Sequence, residues 1–193
     1  VTRAALRSGY FVPACILDVK DLPTLAALFA YDTNYGRWSE TVVPGHGELI
    51  IGEQRIVFLD AKDPSWKWNT WDIDLVVECT GRATTRAVAE EHLRRGAKKV
   101  LVSAPCKTSR DCDTTLLPGI NLDSYDPDTH HIISMASCTT NALAPLVKVI
   151  REHFGITAGL FSTIHAYTNT QSLTDQPRGD RRDSWDAARN IIP

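Results

Sequence analysis

The 193-residue chain predicts an α/β fold, a doubly wound parallel sheet. Three observations carry that expectation: short apolar runs alternate with amphipathic stretches, glycines close most of those stretches, and polar turn residues follow the runs. Val1–Ser8 has Ala4, Ala5 and Leu6 at helical density before Gly9. With no Met and no cap ahead of Val1, the chain reads as starting inside a helix. Phe11–Leu17 is an apolar run ending in Asp18, as in a buried parallel strand with an acid at its carboxyl end. Asp21 and Pro23 open a helix through Leu25–Tyr31. Glu48–Leu59 alternates about Gly52-Glu53 as a hairpin does.

The rhythm then becomes strand, helix, strand. Asp74–Glu78 reads as a strand, Cys79-Thr80-Gly81 as a tight turn, and Thr84–Arg95 as a helix stopped by Gly96. Lys98–Ser103 is the next strand, followed by a polar loop from Lys107 to Asp113. His130–Met135 is another strand, and Cys138–Phe154 a long helix ended by Gly155. Thr157–Tyr167 reads as a long returning strand and Arg181–Asn190 as a final short helix.

Composition narrows the function classes. Hydrophobic residues make 43% and charged residues 23%, which excludes a disordered or fibrous chain. Lys and Arg number 21 against 23 Asp and Glu, a net charge of −2, so neither nucleic acid nor a membrane surface is an expected partner. The longest apolar candidates, such as Cys138–Ile150, are broken by polar side chains and do not make a membrane span. Five cysteines at irregular spacing argue against a disulfide framework or a zinc ribbon. The N-terminus lacks the charged-then-apolar pattern of a leader, so a reducing cytoplasm is the expected compartment.

Several residues could carry chemistry. Asp18, at a strand end, is where a dinucleotide-binding fold places an acid to hold a ribose, although an acid there also serves as an ordinary turn residue. The glycine fingerprint expected about 20 residues earlier would precede Val1. Glu78-Cys79-Thr80-Gly81 and Ser103-Ala104-Pro105 occupy carboxyl ends of parallel strands, where such sheets bind ligands.

Cys138 is the sharpest feature, set in Ser134-Met135-Ala136-Ser137-Cys138-Thr139-Thr140-Asn141 at the start of a long helix. A thiol there meets the positive end of the helix dipole, which favours thiolate, and the unpaired N–H groups can hold an anionic oxygen. The competing reading is a set of helix caps around a small buried thiol. His165 lies near the end of the expected returning strand, which would bring its imidazole back toward the helix start as a Cys–His pair requires. The remaining histidines, His46, His92, His130, His131 and His153, lack metal-ligand spacing and read as structural.

Taken together, Ser137-Cys138-Thr139-Thr140-Asn141, Leu143-Ala144-Pro145 and His165-Ala166-Tyr167-Thr168 resemble the phosphorylating glyceraldehyde-3-phosphate dehydrogenases. Tyr31-Asp32 with Gly36-Arg37, Glu78 with Thr80-Gly81, Gly96 to Val100, Ser103-Ala104-Pro105 and Asn190 to Pro193 extend the likeness along the whole chain. The resemblance implies an incomplete Rossmann-type NAD-binding domain over residues 1–137 and the beginning of an α+β catalytic domain over 138–193. It implies Cys138 as nucleophile and His165 as its base, Ser137 and Thr139 at an inorganic-phosphate site, and Thr168 at the substrate phosphate. Asp18, Thr80, Gly81 and Ser103 would line an NAD cleft, with no metal. Asp18 favours NAD, since an acid there repels a 2′-phosphate, and Pro177 matches the family's NAD-using members.

The implied partners are glyceraldehyde 3-phosphate, inorganic phosphate and further copies of the chain in a homotetramer. The resemblance also implies a partial sequence, without the family's glycine-rich opening and the second half of its catalytic domain. Met135 and Ala142 replace an asparagine and a cysteine common in the family, while Trp66–Trp71 and Arg110–Asp113 match none of its assigned features. Three alternatives stay open: an erythrose-4-phosphate dehydrogenase, in which water resolves the thioester; a non-catalytic fragment; and a cysteine hydrolase using the same Cys138 and His165.

Overall fold

A computed structural model describes residues 1–192. The chain divides into two compact units, Val1–Leu146 and the segment from Val147 onward.

The first unit carries both main sheets. Helix α1 (Thr2–Ser8) ends at Gly9, which adopts the left-handed conformation typical of a helix stop. Strand β1 (Cys15–Asp18) leads to α2 (Leu22–Ala30), where Asp21 accepts a bond from the Thr24 N–H and Pro23 sits in the first turn. A two-residue pair follows, β2 (Tyr31–Asp32) with β3 (Gly36–Arg37), and then β4 (Val42–Pro44), β5 (Glu48–Ile51) and β6 (Gln54–Asp60). Strand β1 runs parallel to β6, and β5 lies between β6 and β4, antiparallel to both. The β5–β6 hairpin turns at Gly52, whose φ of 56° is easily reached without a Cβ.

The second sheet is wholly parallel. Strands β7 (Leu75–Glu78), β8 (Lys99–Val102), β9 (Thr114–Thr115) and β10 (Ile132–Ser134) lie in the order β7-β8-β10-β9, with α3 (Arg86–Arg94) crossing from β7 to β8. Gly96 ends that helix at φ 104°, and a Cβ there would lie 2.7 Å from the Asn69 backbone nitrogen, so no other residue fits without a shift. Helix α4 (Cys138–Phe154) leaves this sheet and ends at Gly155.

Burial follows the patterning. Ile56, Leu49 and Ile51 close a core under α2, while Val100, Val102, Ile132, Ala83 and Ala89 close one under α3. The tryptophan-rich loop is a packing device. Trp68 is buried with Val76 and Ala97, against Cys15, Leu17 and Leu59 from β1 and β6. Trp68 Nε1 donates to His92 Nδ1 at 3.2 Å, and the Arg95 guanidinium stacks 3.9 Å from the Trp66 ring centre. His92 is therefore structural, as expected.

Two expected elements are absent among the described residues. Residues 157–167 form no strand: they pair with no ladder and are exposed throughout. Their apolar content satisfies a strand pattern, but a strand exists only where a neighbour supplies hydrogen bonds. Arg181–Asn190 is no helix either, only a short 3₁₀ turn at Arg182–Ser184 followed by the Asp186 bridge and one hydrogen-bonded turn. Local carboxylates compete successfully there: Asp180 accepts from the Arg182 N–H and side chain, and Asp186 Oδ1 from the Ala188 N–H. The strands β2, β3, β4 and β9 are each two or three residues long, too short for a periodicity to reveal.

Candidate active site

The approach to Cys138 is built from the carboxyl end of β10. Ser134 is fully buried, and its hydroxyl donates to the Ala104 carbonyl at 2.9 Å while accepting from the Ala136 N–H at 3.1 Å. Ala136 takes φ 57°, a left-handed conformation uncommon outside glycine and favoured at sites the surrounding structure over-determines. Ser137 then caps α4, its Oγ accepting from the Thr140 N–H at 2.9 Å and sharing a 2.7 Å bond with Thr140 Oγ1. Asn141 donates to the Met135 and Ser137 carbonyls at 2.7 and 2.9 Å. Cys138 is thereby held in the first turn of a 17-residue helix and is exposed. Thr139 is half-buried beside it.

The expected cofactor residues also occupy strand ends. Asp18 terminates β1, half-buried, with Oδ1 accepting from the Lys20 N–H at 2.8 Å. Thr80 and Gly81 follow β7 and are exposed. Their loop is organised by Glu78, which is buried and accepts from the Thr80 N–H at 2.6 Å, the Thr80 hydroxyl at 3.1 Å and the Ala83 N–H at 3.1 Å. Ser103 follows β8 and is exposed, its N–H bonded to the Glu78 carbonyl. This polar set at the carboxyl ends of parallel strands, with an acid after β1, has the donor chemistry a dinucleotide needs.

His165 and Thr168 belong to the second unit, both exposed. Thr168 sits in a local turn, its N–H bonded to Gln171 Oε1 at 2.9 Å and its hydroxyl to Thr170 at 3.0 Å. His165 Nδ1 contacts the Ala166 carbonyl. The first unit thus collects Asp18, Thr80, Gly81, Ser103, Ser137, Cys138 and Thr139, and the second holds His165 and Thr168. The expected strand that was to return His165 toward Cys138 is not formed. Sequence reasoning placed Ser134, Glu78 and Asn141 in the candidate motifs but not the bonds by which they hold the Cys138 and Thr80 turns. The sequence signal for Ser134 and Glu78 is a polar residue at the end of an apolar run, and for Asn141 its place in the first turn after the Ser137 cap.

Comparison with known proteins divides the chain elsewhere, ahead of Cys138. Residues 1–86 match the model of the glyceraldehyde 3-phosphate dehydrogenase NAD-binding domain, and residues 137–193 that of the C-terminal domain of the same enzyme. The chain belongs to the glyceraldehyde-3-phosphate dehydrogenase family. It is 44% identical over 194 residues to the glyceraldehyde-3-phosphate dehydrogenase of Geobacillus stearothermophilus, covering all of this chain and 57% of the relative. Identity to glyceraldehyde-3-phosphate dehydrogenase 2 of Bacillus subtilis is 46% over 171 residues, or 88% of this chain and 49% of the relative. The glyceraldehyde-3-phosphate dehydrogenase of Kitasatospora aureofaciens is 46% identical over 195 residues, covering all of this chain and 58% of the relative. The chain spans a little over half the length of such relatives. It carries the family's NAD-binding domain sequence, and no described helix is long and apolar enough to cross a membrane.

Proposed function

We propose that the whole protein is an NAD-dependent phosphorylating aldehyde dehydrogenase, converting glyceraldehyde 3-phosphate and inorganic phosphate to 1,3-bisphosphoglycerate in the cytoplasm as a homotetramer. The observation that carries this reading is the exposed Cys138 in the first turn of a long helix, fixed by the Ser134, Ser137 and Asn141 bonds, in a chain of this family. Cys138 Sγ adds to the aldehyde carbon, and His165 takes the proton released as the thiohemiacetal forms. N–H groups of the first α4 turn suit the developing oxyanion. NAD, when bound along Asp18, Thr80, Gly81 and Ser103, supplies the hydride acceptor. The Cys138 thioester that results is cleaved by a phosphate oxygen, and the thiolate leaves to regenerate the site. Ser137 and Thr139 hold that phosphate, and Thr168 holds the phosphate of the substrate.

The test is reduced-nicotinamide formation by the full-length protein with glyceraldehyde 3-phosphate, NAD and phosphate. Cys138→Ser is expected to lower turnover by at least about 10³-fold, and His165→Asn by about 10²-fold. His165→Asn should also move the pH profile of Cys138 alkylation upward. Turnover that persists in Cys138→Ser overturns the reading. Faster, phosphate-independent turnover on erythrose 4-phosphate redirects it to the sister enzyme.

A further inference from the structure

Three turns stand side by side at the carboxyl end of the second sheet, because β7, β8 and β10 are consecutive neighbours in it. Thr80 follows β7, Ser103 follows β8, and the Cys138 turn follows β10. Neighbouring strands lie about 4.8 Å apart, so the Thr80 turn begins about 10 Å from the strand that leads to Cys138.

Glu78 serves two of these turns. Its carbonyl accepts the Ser103 N–H at 3.0 Å. Its side chain is buried, and the turn that follows wraps around it. Glu78 Oε1 accepts the Thr80 N–H at 2.6 Å, and Oε2 accepts the Thr80 hydroxyl and the Ala83 N–H, each at 3.1 Å. A carboxylate is costly to bury unless donors surround it, and that cost holds the turn in place.

The consequence falls on the exposed Thr80 hydroxyl. A hydroxyl has one proton and two lone pairs. The proton goes to Glu78, and one lone pair takes the Arg82 N–H at 3.1 Å. A single lone pair is left, so Thr80 meets a ligand as an acceptor only. It suits an N–H or O–H of the ligand. It does not suit a phosphate oxygen, itself an acceptor, which would also face the nearby carboxylate.

We propose that Glu78 is a positioning residue for NAD, orienting the Thr80 hydroxyl to accept a hydrogen bond from the adenine amino group or a hydroxyl of the adenosine ribose. The role rests on the dehydrogenase reading above. With the reacting nicotinamide at Cys138, a turn about 10 Å away along the strand ends faces the other half of the dinucleotide.

The experiment measures NAD dissociation constants of the full-length protein by calorimetry. Thr80→Val keeps the shape of the side chain and loses the hydroxyl. It should weaken NAD about 3–10-fold, the worth of one hydrogen bond, and Thr80→Ser should restore binding. Glu78→Gln leaves an amide that cannot accept from all three donors, and should weaken NAD by a similar factor, with the loss in KM for NAD rather than in kcat. The double variant Glu78→Gln, Thr80→Val should bind no more weakly than the weaker single variant, because Glu78 acts through Thr80. NAD analogues lacking the adenine amine, the adenosine 2′-hydroxyl or the adenosine 3′-hydroxyl identify the donor. One of them should bind the wild type about 3–10-fold less tightly than NAD, and bind Thr80→Val as tightly as NAD does.

If Thr80→Val binds NAD like the wild type, the proposal is overturned. Losses from the two substitutions that multiply in the double variant overturn it too, as do analogues whose losses are the same in wild type and Thr80→Val. Should Glu78→Gln fail to fold, the Thr80 variants and the analogues still decide, since they leave the buried carboxylate in place. A wild-type protein that binds no NAD overturns the dehydrogenase reading itself, whereas wild-type binding unaltered in Thr80→Val overturns only the roles given to Glu78 and Thr80.

Discussion

The two units reach order by different means. In the first, Ile132, Val100 and Ile56 are completely buried between sheet and helix, and both main sheets belong to it. In the second, Leu160, Ile164 and Ile191 are 97%, 104% and 99% exposed, and among the described residues the sheet bonding is reduced to one bridge between Ser172 and Asp186. Order there comes from polar clips. Buried Ser172 accepts from Arg178 Nε at 2.9 Å, and buried Asp186 receives the Ala188 N–H at 2.9 Å and Arg189 at 3.0 Å. Apolar side chains stabilise only when other apolar groups displace their water, whereas a short polar clip closes with partners a few residues away.

The contrast breaks most readily at the core. Ile132→Ala should cost the first unit about 2–5 kcal/mol, and Leu160→Ala less than about 0.5 kcal/mol, in parallel urea titrations. A comparable loss from Leu160→Ala would mean that the second unit has a core of its own. Ser172→Ala should cost about 1 kcal/mol, because it removes the bond between the buried Ser172 hydroxyl and Arg178. Hydrogen exchange should quicken between residues 171 and 187 and stay unchanged in the two sheets.

A pH effect sharpens the comparison next. Burial lowers the His92 pKa, and the neutral ring accepts the Trp68 N–H. The folded state therefore binds fewer protons than the unfolded one. The stability His92 supplies is complete above its unfolded value near 6.5 and is lost as pH falls below it toward the folded value. The midpoint of urea unfolding should drop as pH falls below about 6.5, and Trp68→Phe should flatten that drop. The smallest effect belongs to the second unit. Arg182 holds the exposed Asp180 down to about 2, so its clip should persist above the unfolded carboxylate range and loosen as pH falls toward that value. Carboxyl resonances of Asp180 in an NMR titration would show this with no change in global unfolding.

Much of the first unit was legible because its signals are local. Gly9, Asp21 and Gly96 mark helix ends by backbone preference, and the apolar runs at β1, β7, β8 and β10 are continuous because parallel strands bury both faces. The cysteine helix was legible for the same reason: Ser137 caps it from within the motif. Residues 157–167 and Arg181–Asn190 were misread because pattern specifies what a segment can do, while hydrogen-bonding neighbours specify what it does.

By itself, the sequence determined the α/β class, the helix boundaries set by caps and glycines, the cysteine at a helix start, and the family. Each depends on contacts within a few residues or on residue order. Only the tertiary structure decided that the tryptophan loop packs against His92 and Arg95, that Glu78 ties down the Thr80 turn, and that Arg86 clasps the Arg110–Asp113 loop. Tertiary structure also left residues 157–167 without a sheet. Those outcomes depend on which surfaces meet across the fold, and local propensity carries no information about that.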